Sequence, residues 1–242
     1  MRVLLLGGTA EGRALAKALD PADVDVISSL ADRVPDPALP VGSVRIGGFG
    51  GVDGLKSWLR EHRIDAVVDA THPFAATMTA HAAQASGELE IPHLVLARPA
   101  WDPGTAIRVA SDTEAAQAVE NQRYQRVFLT TGRSGTKAFQ ASEAWFLIRA
   151  VTEPDARTLP RRHALLLSRG PYRYDDELAI MRDHRIDALV TKNSGGDMTR
   201  AKLDAAAALD IPVVMVQRPP LPAGVTKVDT VEQAADWVAR QV

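Results

Sequence analysis

Short apolar runs along the chain alternate with longer stretches whose apolar positions recur at helical spacing. This is the pattern of parallel strands joined by helices. In the first half it predicts strands near 2–6, 24–28, 44–47, 65–69 and 93–97, with helices near 10–19, 53–62 and 74–86. In the second half the strands fall near 126–130, 145–150, 163–168, 187–191 and 213–217, and the helices near 135–141, 175–184, 198–209 and 231–240. A joining segment from Trp101 to Tyr124 carries a further strand, Ile107-Arg108-Val109, and a helix from Asp112 to Val119.

The pattern repeats in residues as well as in hydropathy. His62-Arg63-Ile64-Asp65-Ala66-Val67-Val68 returns as His184-Arg185-Ile186-Asp187-Ala188-Leu189-Val190, an offset of 122. Ile91-Pro92 through Arg98-Pro99 returns as Ile211-Pro212 through Arg218-Pro219 at an offset of 120. Weaker matches, Arg2-Val3-Leu4-Leu5 with Arg126-Val127-Phe128-Leu129 and Asp112-Thr113-Glu114 with Asp229-Thr230-Val231-Glu232, keep the order. These are the marks of a tandem duplication. The expected architecture is α/β: two doubly wound Rossmann-like lobes, 1–121 and 122–242, with parallel sheets and a ligand cleft between them. Residues 1–100 form the core of the first lobe. If the terminal elements cross between lobes, the boundary moves to about residue 100.

Composition narrows the chemistry. The chain has 242 residues, 46% of them hydrophobic, enough for buried cores. It has no cysteine, which removes disulfides, thiolate-bound zinc, iron–sulfur clusters and thiol nucleophiles together. The six histidines lack metal-ligand spacing, so no metal is expected. The net charge of −2 excludes an enveloping nucleic-acid surface. The first apolar run is too short for a signal peptide or a membrane span, and the expectation is a soluble cytoplasmic protein without membrane or nucleic-acid partners. A monomer is compatible with all of this, and the oligomeric state stays open. Split at residue 121, the sum resolves into 10 basic and 16 acidic residues (−6) followed by 18 basic and 14 acidic (+4).

The first strand runs into Gly7-Gly8-Thr9-Ala10-Glu11-Gly12 and then a helix, a setting in which backbone N–H groups approach a pyrophosphate. Thr9 stands at the middle glycine of G-x-G-x-x-G, and an ordinary strand-to-helix turn would use the same glycines. The second strand ends in Ser28-Ser29 with Arg33 nearby; hydroxyls and a guanidinium in place of a carboxylate favour NADPH over NADH. Gly47 and Gly50 follow the third strand and leave room for the cofactor. Thr71 and His72 follow the fourth, within Asp69-Ala70-Thr71-His72-Pro73-Phe74. A flexible glycine loop after the third strand and a hydrogen-bonded turn histidine at His72 are the plain alternatives.

In the second half, basic residues recur at strand ends: Arg133, Arg169, Lys192 and Arg218, with Arg98 closing the last strand of the first half. Together they form a candidate site for an anionic substrate. Trp101 offers an aromatic wall, Ser194 and Gly195 lie in a possible backbone anion nest, and Lys202 stands on the helix behind it. Each cation could instead belong to a structural ion pair. Asp175-Asp176-Glu177 reads as a helix-start cluster, and Trp145 and Trp237 as core. No nucleophile elbow, P-loop or Tyr-x-x-x-Lys pair is present. His72 and Lys192 are candidate proton donors; the catalytic group itself is not legible.

Taken together, Gly7 to Gly12, Asp69-Ala70-Thr71-His72-Pro73-Phe74-Ala75, Arg98-Pro99-Ala100-Trp101, Thr131-Gly132-Arg133, Ser168-Arg169-Gly170-Pro171 and Thr191-Lys192-Asn193-Ser194-Gly195-Gly196 resemble the precorrin-6A reductase family of cobalamin (corrin) biosynthesis. The resemblance spans almost the whole chain. It implies an oxidoreductase of CH–CH bonds that uses NADPH to convert precorrin-6A, a tetrapyrrole-derived macrocycle rich in carboxylates, into precorrin-6B. Two alternatives stay open: a cobalt-precorrin-6A reductase of the anaerobic branch, and a non-catalytic two-lobed nucleotide or polyanion sensor.

Overall fold

Successive apolar side chains on a strand point to opposite faces, so a run such as Val3-Leu4-Leu5-Leu6 is stable only when both faces are covered. All four are at most 2% exposed. In chain order the strands are β1 (Arg2–Leu6), β2 (Asp25–Leu30), β3 (Ser43–Ile46), β4 (Ala66–Asp69), β5 (His93–Leu96), β6 (Ile107–Val109), β7 (Arg126–Leu129), β8 (Trp145–Ala150), β9 (His163–Leu167), β10 (Ala188–Lys192), β11 (Val213–Val216) and β12 (Thr226–Val228). The helices are α1 (Ala10–Leu19), α2 (Gly51–Glu61), α3 (Ala76–Glu88), α4 (Asp112–Gln122), α5 (Tyr174–Asp183), α6 (Ala201–Ala208) and α7 (Val231–Ala239). The computed structural model describes residues 1–20, 24–31 and 39–241.

The chain divides into two units, 1–99 with 219–242 and 100–218. The first holds a sheet ordered β12-β5-β4-β1-β2-β3 and the second a sheet ordered β6-β11-β10-β7-β8-β9. Every pairing is parallel. The two orders are the same doubly wound arrangement, with one difference from a simple tandem copy. β6 leaves the first half of the chain to pair with β11, and β12 leaves the second half to pair with β5. The division therefore falls near residues 99 and 218, not at 121, which corrects the boundary expected from equal halves. Helix α7, expected in the second lobe, packs Ala234 and Val238 with Leu15, Leu19 and Leu96 in the core of the first. The charge split softens accordingly, to −4 for the first unit (11 basic, 15 acidic) and +2 for the second (17 and 15).

The duplication is visible in atomic detail. Arg63 and Arg185 end α2 and α5 in the left-handed region, at φ 50° and 51°. Behind them Ile64 N donates to Leu59 O at 3.0 Å and Ile186 N to Met181 O at 2.9 Å, the same helix-ending bond. Asp65 accepts from Arg2 N at 2.6 Å, and Asp187 from Arg126 N at 2.9 Å. The repeated sequence thus fixes where each helix stops and how the next strand aligns with the first strand of its sheet.

Candidate active site

The strands of each sheet run one way, so their carboxyl ends share an edge, and the strand order reverses beside β1 in one unit and β7 in the other. In such sheets ligands bind at that edge, at the reversal. In the first unit β1 leads through Gly7 and Gly8 to Thr9, which caps α1. Thr9 Oγ1 accepts from Gly12 N at 3.0 Å and donates to Ala70 O at 2.7 Å, fastening the helix start to the end of β4. Gly8 sits at φ 114° with open space where a side chain would begin. A Cβ on Gly12 would lie 3.4 Å from Gly7 Cα, so glycine lets the helix start close against the strand end. The remaining first-turn N–H groups have no acceptor within the helix.

Glu11 stands in that first turn, where its charge would repel a diphosphate. Arg98 Nη1 meets Glu11 Oε2 at 2.7 Å, with both side chains largely buried. The pair offsets the carboxylate and places Arg98 beside the glycine loop of the first unit. Asp69, 1% exposed, accepts from Thr71 N (3.0 Å), Thr71 Oγ1 (2.6 Å) and Thr79 Oγ1 (2.6 Å). Thr71 is therefore engaged in bracing the loop after β4. His72 is exposed, and its Nδ1 accepts from Phe74 N at 3.3 Å. A nicotinamide dinucleotide fits this loop: an approachable glycine backbone, a capped helix start and an offset acidic residue.

Ser28 departs from expectation. Alternation along β2 turns it toward the α1 face, where it is fully buried with Oγ unpartnered among the described residues, so its hydroxyl cannot receive a ribose phosphate. Ser29 faces the other way and accepts from Arg45 Nη1 at 2.8 Å. Arg45 went unnoticed in the sequence because it lies inside a strand; its register opposite Ser29 was the available signal. It also donates to the carbonyls of Gly47 (2.8 Å) and Gly48 (3.1 Å) and lies 3.8 Å over the Phe49 ring. Partial burial lowers its pKa from the ordinary guanidinium value. Gly47 bends the chain at φ 117°, and Gly50 caps α2 at φ 80°. Arg33 lies outside the described residues.

In the second unit Arg133 and Arg169 are exposed after β7 and β9, and Lys192 ends β10 with Nζ 3.5 Å from Asp112 Oδ2. The expected helix after β7 is only a short 3-10 turn, Thr136–Phe139. Arg218 is turned toward the loop after β10: Nε donates to Asn193 O at 2.9 Å and Nη2 to Ser194 O at 3.0 Å. Asn193, 2% exposed, clamps Trp101 by accepting from its N–H (2.8 Å) and donating to its carbonyl (3.1 Å). The Trp101 indole donates to Gly196 O at 2.9 Å and is 5% exposed. It anchors the loop that carries Ser194 and buried Gly195, instead of presenting an open aromatic wall.

Lys202 is buried too, its Nζ 5.3 Å from the Trp101 ring centroid, instead of standing in reach behind an anion nest. Burial first, and the nearby Arg149 charge second, push its pKa down to about 7, against the opposing pull of Glu177. Asp175, Asp176 and Glu177 stand in the first turn of α5, as the sequence pattern predicts, and Glu177 has a second role. It is fully buried in a two-bond pair with Arg149, whose guanidinium lies 4.0 Å from the Tyr172 ring centroid and 4.7 Å from that of Phe128. Among the described residues, no group of acidic or histidine side chains could hold a metal, and no helix is long and apolar enough to cross a membrane.

This geometry is a glycine-lined helix start on one sheet and a set of basic strand ends on another, and comparison with known proteins gives it a lineage. Residues 2–239 match the model of the family described as precorrin-6x reductase CbiJ/CobK. The chain belongs to the precorrin-6x reductase family. Precorrin-6A reductase of Mycobacterium tuberculosis is 73% identical over 238 residues, covering 98% of this chain and 97% of that one. The Rhodococcus erythropolis precorrin-6A reductase is 55% identical at the same coverages. A solved structure named CobK precorrin-6A reductase superposes with a TM-score of 0.91 at 34% identity, covering 100% of this chain and 97% of that one. Membership in a reductase family sets aside the non-catalytic sensor and implies a nicotinamide cofactor.

Proposed function

We propose that this chain reduces precorrin-6A to precorrin-6B in cobalamin biosynthesis, with NADPH held by the first unit and the carboxylate-rich macrocycle by the second. The observation that carries this division is the contrast between equivalent strand ends. After β1 stands a capped, glycine-lined helix start; after β7, its equivalent, stands Arg133, and after β9, where the first unit has the Gly47–Gly48 turn, stands Arg169. The names of the two closely similar relatives support a metal-free macrocycle over its cobalt counterpart.

When bound, the nicotinamide supplies a hydride from C4 to an electron-poor ring carbon, and one proton completes the two-hydrogen reduction. The chain's own contribution is orientation. The Gly7–Gly8 backbone and the α1 start receive the pyrophosphate, and Arg98 offsets Glu11 there. Arg133, Arg169 and Lys192 bind peripheral carboxylates. The Asn193–Trp101 clamp and Arg218 hold the loop after β10 in place, which lowers the entropic cost of orienting a substrate on it. His72 and Lys192 are the candidate proton donors at the strand ends.

The test is anaerobic turnover with precorrin-6A, following nicotinamide oxidation and product mass, in wild type and in Arg133→Ala and Arg169→Ala. A two-hydrogen mass gain is expected, with each variant weakening macrocycle binding about 10-fold or more and leaving NADPH affinity within about 3-fold. Binding without a mass gain contradicts the reductase reading; loss of NADPH affinity contradicts the division between units.

A further inference from the structure

We propose that Arg45 is the receptor for the cofactor's 2′-phosphate and so sets the preference for NADPH over NADH. The proposal rests on the reading of the first unit as the dinucleotide holder. In this topology the end of β2 is where the adenine ribose is read. That end is tied to the glycine loop by Gly7 N donating to Ser29 O at 2.9 Å. Directly opposite Ser29 in the β2–β3 register lies Arg45, and no acidic residue occupies either position.

Arg45 is held as a recognition group is held. Ser29 Oγ and the carbonyls of Gly47 and Gly48 take three of its five N–H donors, and the Phe49 ring covers one face. The N–H on Nε and one on Nη2 meet no acceptor among the described residues. No described carboxylate lies within ion-pair distance of the guanidinium. A partly buried, pre-oriented cation with donors to spare suits a dianionic phosphate monoester, which takes charge-assisted bonds from an arginine fork. Among the described residues its partners are two carbonyls and a hydroxyl, none of which neutralises its charge. Ser29 is then a positioning residue.

The experiment is calorimetric titration of the full-length protein with NADPH, NADH, 2′,5′-ADP and 5′-AMP, using wild type, Arg45→Gln and Arg45→Lys. Arg45→Gln should weaken NADPH and 2′,5′-ADP about 10- to 100-fold, the cost of a charged hydrogen-bonded contact, while NADH and 5′-AMP change less than about 3-fold. Arg45→Lys, which keeps the charge and loses the fork, should fall between. Equal losses for phosphorylated and unphosphorylated ligands would mean that Arg45 only staples its loop, and would overturn the proposal. So would wild type that binds both dinucleotides equally well, which leaves the dinucleotide reading intact; wild type that binds neither overturns both. If Arg45→Gln melts before titration, Arg45→Lys decides by the same ratio.

Discussion

Arg149 and Glu177 meet in two parallel hydrogen bonds, Nη1 to Oε2 at 3.0 Å and Nη2 to Oε1 at 2.6 Å, with side chains 5% and 1% exposed. A pair buried this completely is held by mutual need, since either charge alone inside the protein is strongly unfavourable. Glu177→Gln should cost about 3–5 kcal/mol in denaturant unfolding, whereas Arg149→Met combined with Glu177→Met should cost less than the two single changes summed. Additive losses would show that the two side chains do not act as a unit.

Lys202, buried within reach of the charges of this pair, gives stability a pH dependence. Unfolded, its ammonium releases a proton near the ordinary 10.5; folded, near about 7. Between these values the unfolded chain holds a proton that the folded chain has lost, so this site makes folding more favourable as pH rises through the window. Below 7 the buried charge is carried at full cost. Lys202→Met should therefore be most stabilising, relative to wild type, at pH 6.5, and its advantage should shrink by about 2 kcal/mol by pH 9. Paired unfolding curves at the two pH values measure it; an advantage constant with pH would contradict the assignment.

Thr9 joins the start of α1 to the end of β4 through one hydroxyl. Thr9→Val keeps the shape and removes both bonds, which should lower stability by about 1–2 kcal/mol and weaken dinucleotide binding; Thr9→Ser should restore both. Chemical denaturation and cofactor titration read the two effects separately. Loss of stability with unchanged binding would remove the capped helix start from the cofactor site.

Ser28 provides the opposite expectation. Its buried hydroxyl meets no partner among the described residues, so Ser28→Ala should be neutral or stabilising by up to about 1 kcal/mol and should leave the preference between NADPH and NADH unchanged. A shift in that preference would restore Ser28 to the cofactor site.

Much of this was legible in the chain. The alternation of strand and helix patterns placed the parallel strands, and the copied His-Arg-Ile-Asp segment revealed the duplication because the same helix ending is built at Arg63 and Arg185. The exchange of β6 and β12 was legible only as an alternative, with a boundary near residue 100. Three-residue strands such as Ile107-Arg108-Val109 and Thr226-Lys227-Val228 carry the same local signal whichever sheet they join. Nor does strand position alone show face: neighbouring Ser28 and Ser29 look equivalent until the pleat sends one into the core and the other to Arg45. The burial of Trp101, Lys202 and Glu177 is hidden in the sequence for a related reason. Their positions beside strand ends and helix starts suggested exposure, and only the three-dimensional neighbours show them buried together or clamped to Asn193.

The most direct test of the account is the origin of the hydrogen added to the macrocycle. Anaerobic reduction of precorrin-6A with NADPH carrying deuterium at both C4 positions, analysed by product mass in ordinary water, should place one deuterium and one solvent proton in the product. A product that gains two hydrogens but no deuterium would contradict direct hydride transfer.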